Sequence, residues 1–480
     1  MRRGSVLSSA RQIAPLAWPV FIGQIAVLAF NTTDTVFVAR HSAIDLAALA
    51  VGGAAYISVF VGFMGVVLAV GPIAGQLFGA ARLPEAGRQL HQAMWLALML
   101  SMVGVAVLVF PQPFLSLSQA QPEVASKVRD YLSALAFALP AALMFTAFRG
   151  FNTAVSRPKV VMALQLGALA LKVPLTALLV FGATLPTPLG ELRVPSLGAV
   201  GCGVATAIVM NLQMLFAWGL IRRDPFYARF GLHRGVAAPH AKSLVGLLRL
   251  GVPIGGSIMI EVTAFTFMAF FISRIGATPV AGHQIALNLV SLMFMMPLAI
   301  GNASSTLVAQ RIGAGEMREA RRLSWHALEI GTLVAAMMGA LVYVSREAIL
   351  NLYTHDAIII ATALPLLAWV VVFHIADAAQ TIVAFVLRAY RIATVPLLIY
   401  AVALWGVGLG GGFALAFDSS GRVPAMLRGA PGFWSAATLG LVVAGSGLAA
   451  FLAWMLMGQR RSEADASPRV TAAPSTPSSG

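Results

Sequence analysis

Long apolar runs set the strongest limit on what this chain can become. Crossing the hydrocarbon core of a bilayer takes roughly 20 mostly apolar residues in a helix. Runs of that kind lie near residues 12–38, 46–76, 91–112, 131–151, 158–183, 196–221, 244–273, 281–310, 323–345, 362–388, 392–416 and 433–457. Short loops between them hold nearly all of the charge, which amounts to 10% of 480 residues, with 59% hydrophobic. A soluble domain carries about a quarter charged residues. Runs this long, with Gly and Pro inside them, suit helices and not the alternating ten-residue strands of an outer-membrane barrel. The expected fold is an all-α polytopic membrane protein with twelve transmembrane helices.

The net charge of +15 raises the question of nucleic acid, and the placement of the basic residues answers it. With both termini cytoplasmic, most Lys and Arg fall in inward loops, as at Arg222 and Arg223, Arg318 to Arg322, and Arg460 and Arg461. That is positive-inside bias beside acidic lipid, so no nucleic-acid partner is expected. The first apolar run contains Asp34 and lacks a small-residue cleavage site, so it reads as a retained helix and not a secretory signal. One cysteine, Cys202, excludes an internal disulfide and a CxxC motif. Residues 459–480, rich in Ser, Pro and Ala, read as a disordered cytoplasmic tail.

An internal duplication organises the rest. A shift of 234 residues lays GQLFGAARLPEAGR (75–88) on AQRIGAGEMREARR (309–322), and the match runs without a gap for about 70 positions. Gln76 meets Gln310, Gly79 meets Gly313, and upstream Pro19 meets Pro253. Six spans per half give the two halves the same orientation in the membrane, an arrangement of parallel repeats found in transporters. The expected division is a first lobe over 1–221, a cytoplasmic connector over 222–243 and a second lobe over 244–458.

Three of the acids inside the apolar runs stand out: Asp34, Glu261 and Asp377. An ionised side chain at the bilayer centre costs roughly 2.5 to 3.5 kcal/mol on insertion scales, so each must face protein or water and be protonated, paired or bound to a cation. Glu261 lies in GSIMIEVTAF (256–265), with Phe265 one turn further on the same face. In FHIADAAQT (373–381) helical spacing aligns Phe373, Asp377 and either Gln380 or Thr381. Glu261 and Asp377 are expected to form one cation-coupling site in the second lobe, sharing a proton or holding Na⁺ through oxygen. His374, one turn before Asp377, is a candidate to tune it.

The duplication places Val27 opposite Glu261 and Met268 opposite Asp34, so the acids were not duplicated with the helices. Asp34 is assigned to substrate binding or a second protonation step. Lys172, in LKVPLTALL, is the one basic residue expected in mid-membrane, and Asp34 in the same lobe is its candidate partner. The alternative is a stem that snorkels to a water-filled cleft.

At these residues the chain resembles a known family. DTVFVAR (34–40), GPIAGQLFGA (71–80), FRGFNTAVSRPK (148–159), GVPIGGSIMIEVTAF (251–265), AGHQIALN (281–288) and the FxxxDxxQ pattern over Phe373 to Gln380 are together similar to the multidrug and toxic compound extrusion (MATE) family, NorM-like branch. The resemblance covers nearly the whole chain. It implies export of cationic or zwitterionic drugs driven by inward H⁺ or Na⁺, with Glu261 and Asp377 as the coupling pair and Asp34 as the first-lobe acid. LKVPLT (171–176) departs from it, placing Lys172 and Thr176 where relatives often carry Asn.

The sequence reading is therefore a secondary active antiporter of the bacterial inner membrane, working by alternating access. Its partners are small-molecule cationic drugs and membrane lipid, it needs no cofactor beyond the coupling ion, and it is expected to be a monomer. A flippase for lipid-linked sugars is the rival within transport, but it would favour a more cationic cleft. A membrane-embedded enzyme would need a nucleophile, a metal cluster or a nucleotide loop, and no GxxxxGK or HExxH occurs.

Overall fold

The computed structural model describes residues 5–118, 121–187, 190–418 and 421–466. Among them, helices long and apolar enough to span a membrane are α1 (Val6–His41), α2 (Ala43–Gly79), α3 (Leu83–Val109), α4 (Pro122–Ala154), α5 (Pro158–Phe181), α6 (Gly198–Arg223), α7 (Ala241–Ser273), α8 (Ala277–Gly313), α9 (Met317–Val344), α10 (Val370–Ala389), α11 (Thr394–Ala416) and α12 (Ala430–Gln459). Local sequence explains several boundaries. The Ser5 hydroxyl accepts from the Ser8 N–H to start α1, and the Ser42 hydroxyl accepts from the Ile44 and Asp45 N–H groups to start α2. Proline opens α3, α4 and α5, where its missing N–H costs nothing.

Two large apolar cores correspond to the two lobes. Their edges in space differ from the expected division in sequence. Ile13 and Ala17, at the start of α1, belong to the core of the second lobe, whereas Phe30 and Val38 pack within the first. In α7 the exchange is reciprocal: Leu247, Leu250 and Ile254 join the first-lobe core, and Ala264, Met268 and Ile272 the second. In α1 the changeover falls between Ala17 and Phe30, and in α7 between Ile258 and Ile260, beyond Pro253. Each lobe thus buries the first turns of the other's leading helix, so a cut at 221 or 244 separates residues that share a core.

The lobes meet at the membrane face where α1 begins. Gln76 donates to the Ala389 carbonyl at 2.8 Å, and its repeat partner Gln310 donates to the Ala154 carbonyl at 2.7 Å. A methyl group at Gly79 would collide with the Gln310 carbonyl, and one at Gly313 with the Gln76 carbonyl. These four residues form a two-fold-like contact that only glycine permits. Nearby, the Ser9 hydroxyl lies 2.7 Å from His326 Nδ1 across the same junction.

Four local details refine the expected spans. The run over 362–388 is not one helix: Ala357–Leu367 ends after Pro365, and α10 starts beyond a turn at Ala368 and Trp369. A second turn, at Leu68 and Ala69, interrupts α2 before Pro72. The segment from 459 is not wholly irregular, since the helix that forms α12 continues to Ala466, while 467–480 lie outside the described residues. A β-hairpin of β1 (Ala183–Thr187) and β2 (Gly190–Val194) joins α5 to α6 in an otherwise helical fold. The connector docks on the first lobe: Asp224 pairs with Arg157 at 2.6 Å, Tyr227 donates to Asn152 at 2.6 Å, and Trp95 donates to the Ala237 carbonyl. The Phe226 N–H and the Arg157 guanidinium hold the Asp224 carboxyl below the usual carboxylate range.

Candidate functional site

Glu261 on α7 and Asp377 on α10 come together through a third side chain. The Gln380 amide nitrogen donates to Glu261 Oε1 at 3.1 Å, to Asp377 Oδ1 at 3.0 Å and to Thr381 Oγ1 at 3.0 Å. On the other side of that amide, the Tyr400 hydroxyl of α11 donates to Gln380 Oε1. This fixes which end of the amide faces the acids, because ionised carboxylates accept and cannot donate. One NH₂ group carries two hydrogens and here faces three acceptors. Two carboxylates thus share the two hydrogens of one amide, an arrangement that has room for a proton or a cation.

A wall of aromatic rings backs the pair. Phe265 and Phe373 lie 6.2 Å apart between centroids, and Phe373 reaches Trp434 at 5.4 Å. The Trp434 indole donates to His283 Nδ1 at 3.2 Å, which makes His283 part of the packing. His374 is buried, and neither ring nitrogen has a hydrogen-bond partner. No hydrogen bond joins His374 to Asp377, so no polar contact supports the expected tuning. Arg388, three turns beyond Asp377 on the same stripe, stacks its guanidinium over Phe385 at 4.5 Å.

The first lobe is organised differently. Lys172 Nζ lies 2.8 Å from Asp34 Oδ1, donates to Thr206 Oγ1 at 2.6 Å and to the Cys202 carbonyl at 3.2 Å, and sits 4.9 Å from the centre of the Phe30 ring. Lys172 is 0% exposed and Asp34 7%. The lysine does not snorkel to a cleft. Thr32 and Thr33 bond to carbonyls of their own helix, Leu28 and Ala29, and leave Asp34 to the lysine. That carboxylate oxygen accepts no well-directed hydrogen bond, so the contact is chiefly Coulombic.

Sequence reasoning missed Tyr400, Thr206 and the Cys202 carbonyl. A tyrosine or threonine in an apolar span always needs a partner for its hydroxyl, but which partner depends on helices distant in the chain. An apolar cavity of about 600 Å³ between α10, α11 and α12, lined by Trp369, Val372, Val407 and Leu439 among others, contains neither acid site. Among the described residues no cluster of three His, Cys, Asp or Glu could hold a metal ion.

Residues 19–178 and 253–413 each match the family model MatE, and the two matches start at the interval of the internal repeat. The chain is 39% identical over 430 residues to a probable multidrug resistance protein NorM of Aromatoleum aromaticum, covering 89% of this chain and 90% of the relative. It is 32% identical over 446 residues to the multidrug resistance protein NorM of Vibrio cholerae, covering 93% and 95%. The fold is similar to that of the eukaryotic MATE transporter AtDTX14, with a TM-score of 0.83 at 18% identity over 96% of this chain and 99% of that one. It is also similar to the Vibrio cholerae MATE transporter VcmN in the bent form, with a TM-score of 0.81 at 17% identity over 95% and 99%. A likeness that runs through both repeats and nearly the full length of its relatives makes this chain a member of the MatE family, a multi-pass membrane transporter and not an enzyme.

Proposed function

We propose that this protein exports organic cations or zwitterions in exchange for inward H⁺ or Na⁺, by alternating access, from the cytoplasmic side on which both termini lie. The observation that carries this reading is the Gln380 amide held between Glu261 and Asp377, two carboxylates that share its two hydrogens. An ion bound there offsets the repulsion of the acids, and its loss returns it. Any state in which the two acids stand at a different separation binds the ion differently, and that differential affinity couples ion to lobe movement. Phe265, Phe373 and the adaptable SLMFMMP stretch (291–297) supply apolar surface for flat cationic drugs. The names of the relatives, multidrug resistance proteins, support the same substrate class.

A flippase for lipid-linked sugars would draw on free positive charge in the cleft, whereas Lys172 is committed to Asp34. The test is extrusion of a fluorescent organic cation from proteoliposomes, with Na⁺ and pH gradients imposed separately, for the parent and Glu261→Gln. The expected result is acceleration by one gradient, absent in the variant. Indifference of the dye to both gradients, with parent and variant alike, overturns the proposal.

A further inference from the structure

We propose that Lys172 is a built-in cation, its ammonium filling a first-lobe site that would otherwise take an ion from solution, so that the second lobe alone exchanges ions. The argument begins with the ligands. Asp34 Oδ1 at 2.8 Å, Thr206 Oγ1 at 2.6 Å and the Cys202 carbonyl at 3.2 Å are a carboxylate, a hydroxyl and a backbone carbonyl. These are the oxygen types that hold hard cations. The cage closes from three helices, α1, α5 and α6, and the Phe30 ring covers it at 4.9 Å, a face that attracts positive charge.

Directions within the cage agree with its contents. The Thr206 hydroxyl donates its own hydrogen to the Cys202 carbonyl at 2.8 Å, which turns its lone pairs toward the ammonium. An ammonium has three N–H groups and no acceptor; this one donates to Thr206 Oγ1 and to the Cys202 carbonyl and rests its charge against Asp34 Oδ1. The contrast lies in the second lobe, where two carboxylates and one hydroxyl share the two hydrogens of Gln380. One lobe carries its cation on a side chain, and the other has a place for one from outside. Because the lysine is tethered, its local concentration at Asp34 far exceeds that of a dissolved ion, and the cage stays closed to solution ions as long as the ammonium is present.

Substituting the ammonium with an apolar stem of similar length opens the cage. Lys172→Met leaves Asp34, Thr206 and the Cys202 carbonyl facing a vacancy that a solution Na⁺ or a proton on Asp34 will fill. The experiment measures ion binding by the purified full-length protein, using radioactive sodium by scintillation proximity and proton uptake with a pH indicator. It compares the parent, Lys172→Met and the double variant Lys172→Met/Asp34→Asn. The expected result is one additional monovalent cation per protein in Lys172→Met, and the parent's ion count in the double variant. An unchanged count in Lys172→Met overturns the inference. So does a lower count in the double variant, which would mean that the parent binds an exchangeable ion at Asp34. Should Lys172→Met fail to fold, the charge-balanced double variant decides the question alone. The transport consequence rests on the exporter reading, but the readout is binding, so a failure of dye extrusion leaves this result standing and the two readings fail separately.

Discussion

In the second lobe two carboxylates share one amide; in the first a single carboxylate has an ammonium to itself. Both lobes grew from one duplicated unit, and the shared parts remain visible where they touch, in the matched pairs Gln76 with Gln310 and Gly79 with Gly313. The difference teaches that duplication preserved the mechanical contact between lobes while their charge chemistry diverged. An acid neutralised from within is a fixed element of its lobe. An acid pair sharing one amide is an element whose state depends on what the solution supplies.

The comparison can be broken most severely at Lys172. Lys172→Ala leaves Asp34 buried without its partner, which costs about 3 to 5 kcal/mol and should appear as a large drop in thermal stability of the detergent-solubilised protein. Removing both charges in Lys172→Ala/Asp34→Ala should be less damaging than the single change; strictly additive losses would count against the pair. In the second lobe, Glu261→Gln or Asp377→Asn should reduce gradient-driven dye efflux by about 100-fold, within the usual range of coupling energies, with expression intact. Full activity in both variants would remove the coupling role from this site.

The shared contact gives a symmetric control. Gly79→Val and Gly313→Val each force a side chain into the opposite lobe's carbonyl, at about 1 to 3 kcal/mol for overpacking. The two should impair efflux to a similar degree, and a strong asymmetry would show that the two-fold contact is not equally used. The smallest effect is expected at Tyr400→Phe, which removes one donor to Gln380 at about 0.5 to 1.5 kcal/mol. Its efflux should need a higher ion concentration for half-maximal rate, because the freed amide no longer keeps its NH₂ turned to the acids. An unchanged ion dependence would reduce Tyr400 to packing.

Much of this was legible in the chain. Apolar run length announces the helices because a backbone in lipid must satisfy its own hydrogen bonds, and a helix is the local way to do so. Periodicity within one helix aligns Phe373, Asp377 and Gln380, since residues three and four apart share a face. The repeat points to Gln76 and Gln310 before the carbonyls they reach are known. Charge in a span singles out Asp34, Lys172, Glu261 and Asp377 by its cost. Other features left little signal. His374 looked placed to tune Asp377 by spacing alone, yet its ring makes no hydrogen bond to it.

What the sequence by itself determined about this protein is the set of elements and the residues too costly to be idle: twelve spans, two copies of one unit, and charges in apolar surroundings, Asp34, Lys172, Glu261 and Asp377 among them. Those properties are local, depending on a residue and its near neighbours along one helix. Only the tertiary structure decided which groups answer one another: Gln380 between Glu261 and Asp377, Tyr400 behind it, and Thr206 with the Cys202 carbonyl around Lys172. It also decided that the first turns of α1 and α7 belong to the opposite lobe's core. The reason is physical. A buried polar group must find a partner within about 3 Å, and which partner stands there is set by how separate helices pack, an arrangement that no single stretch of the chain contains.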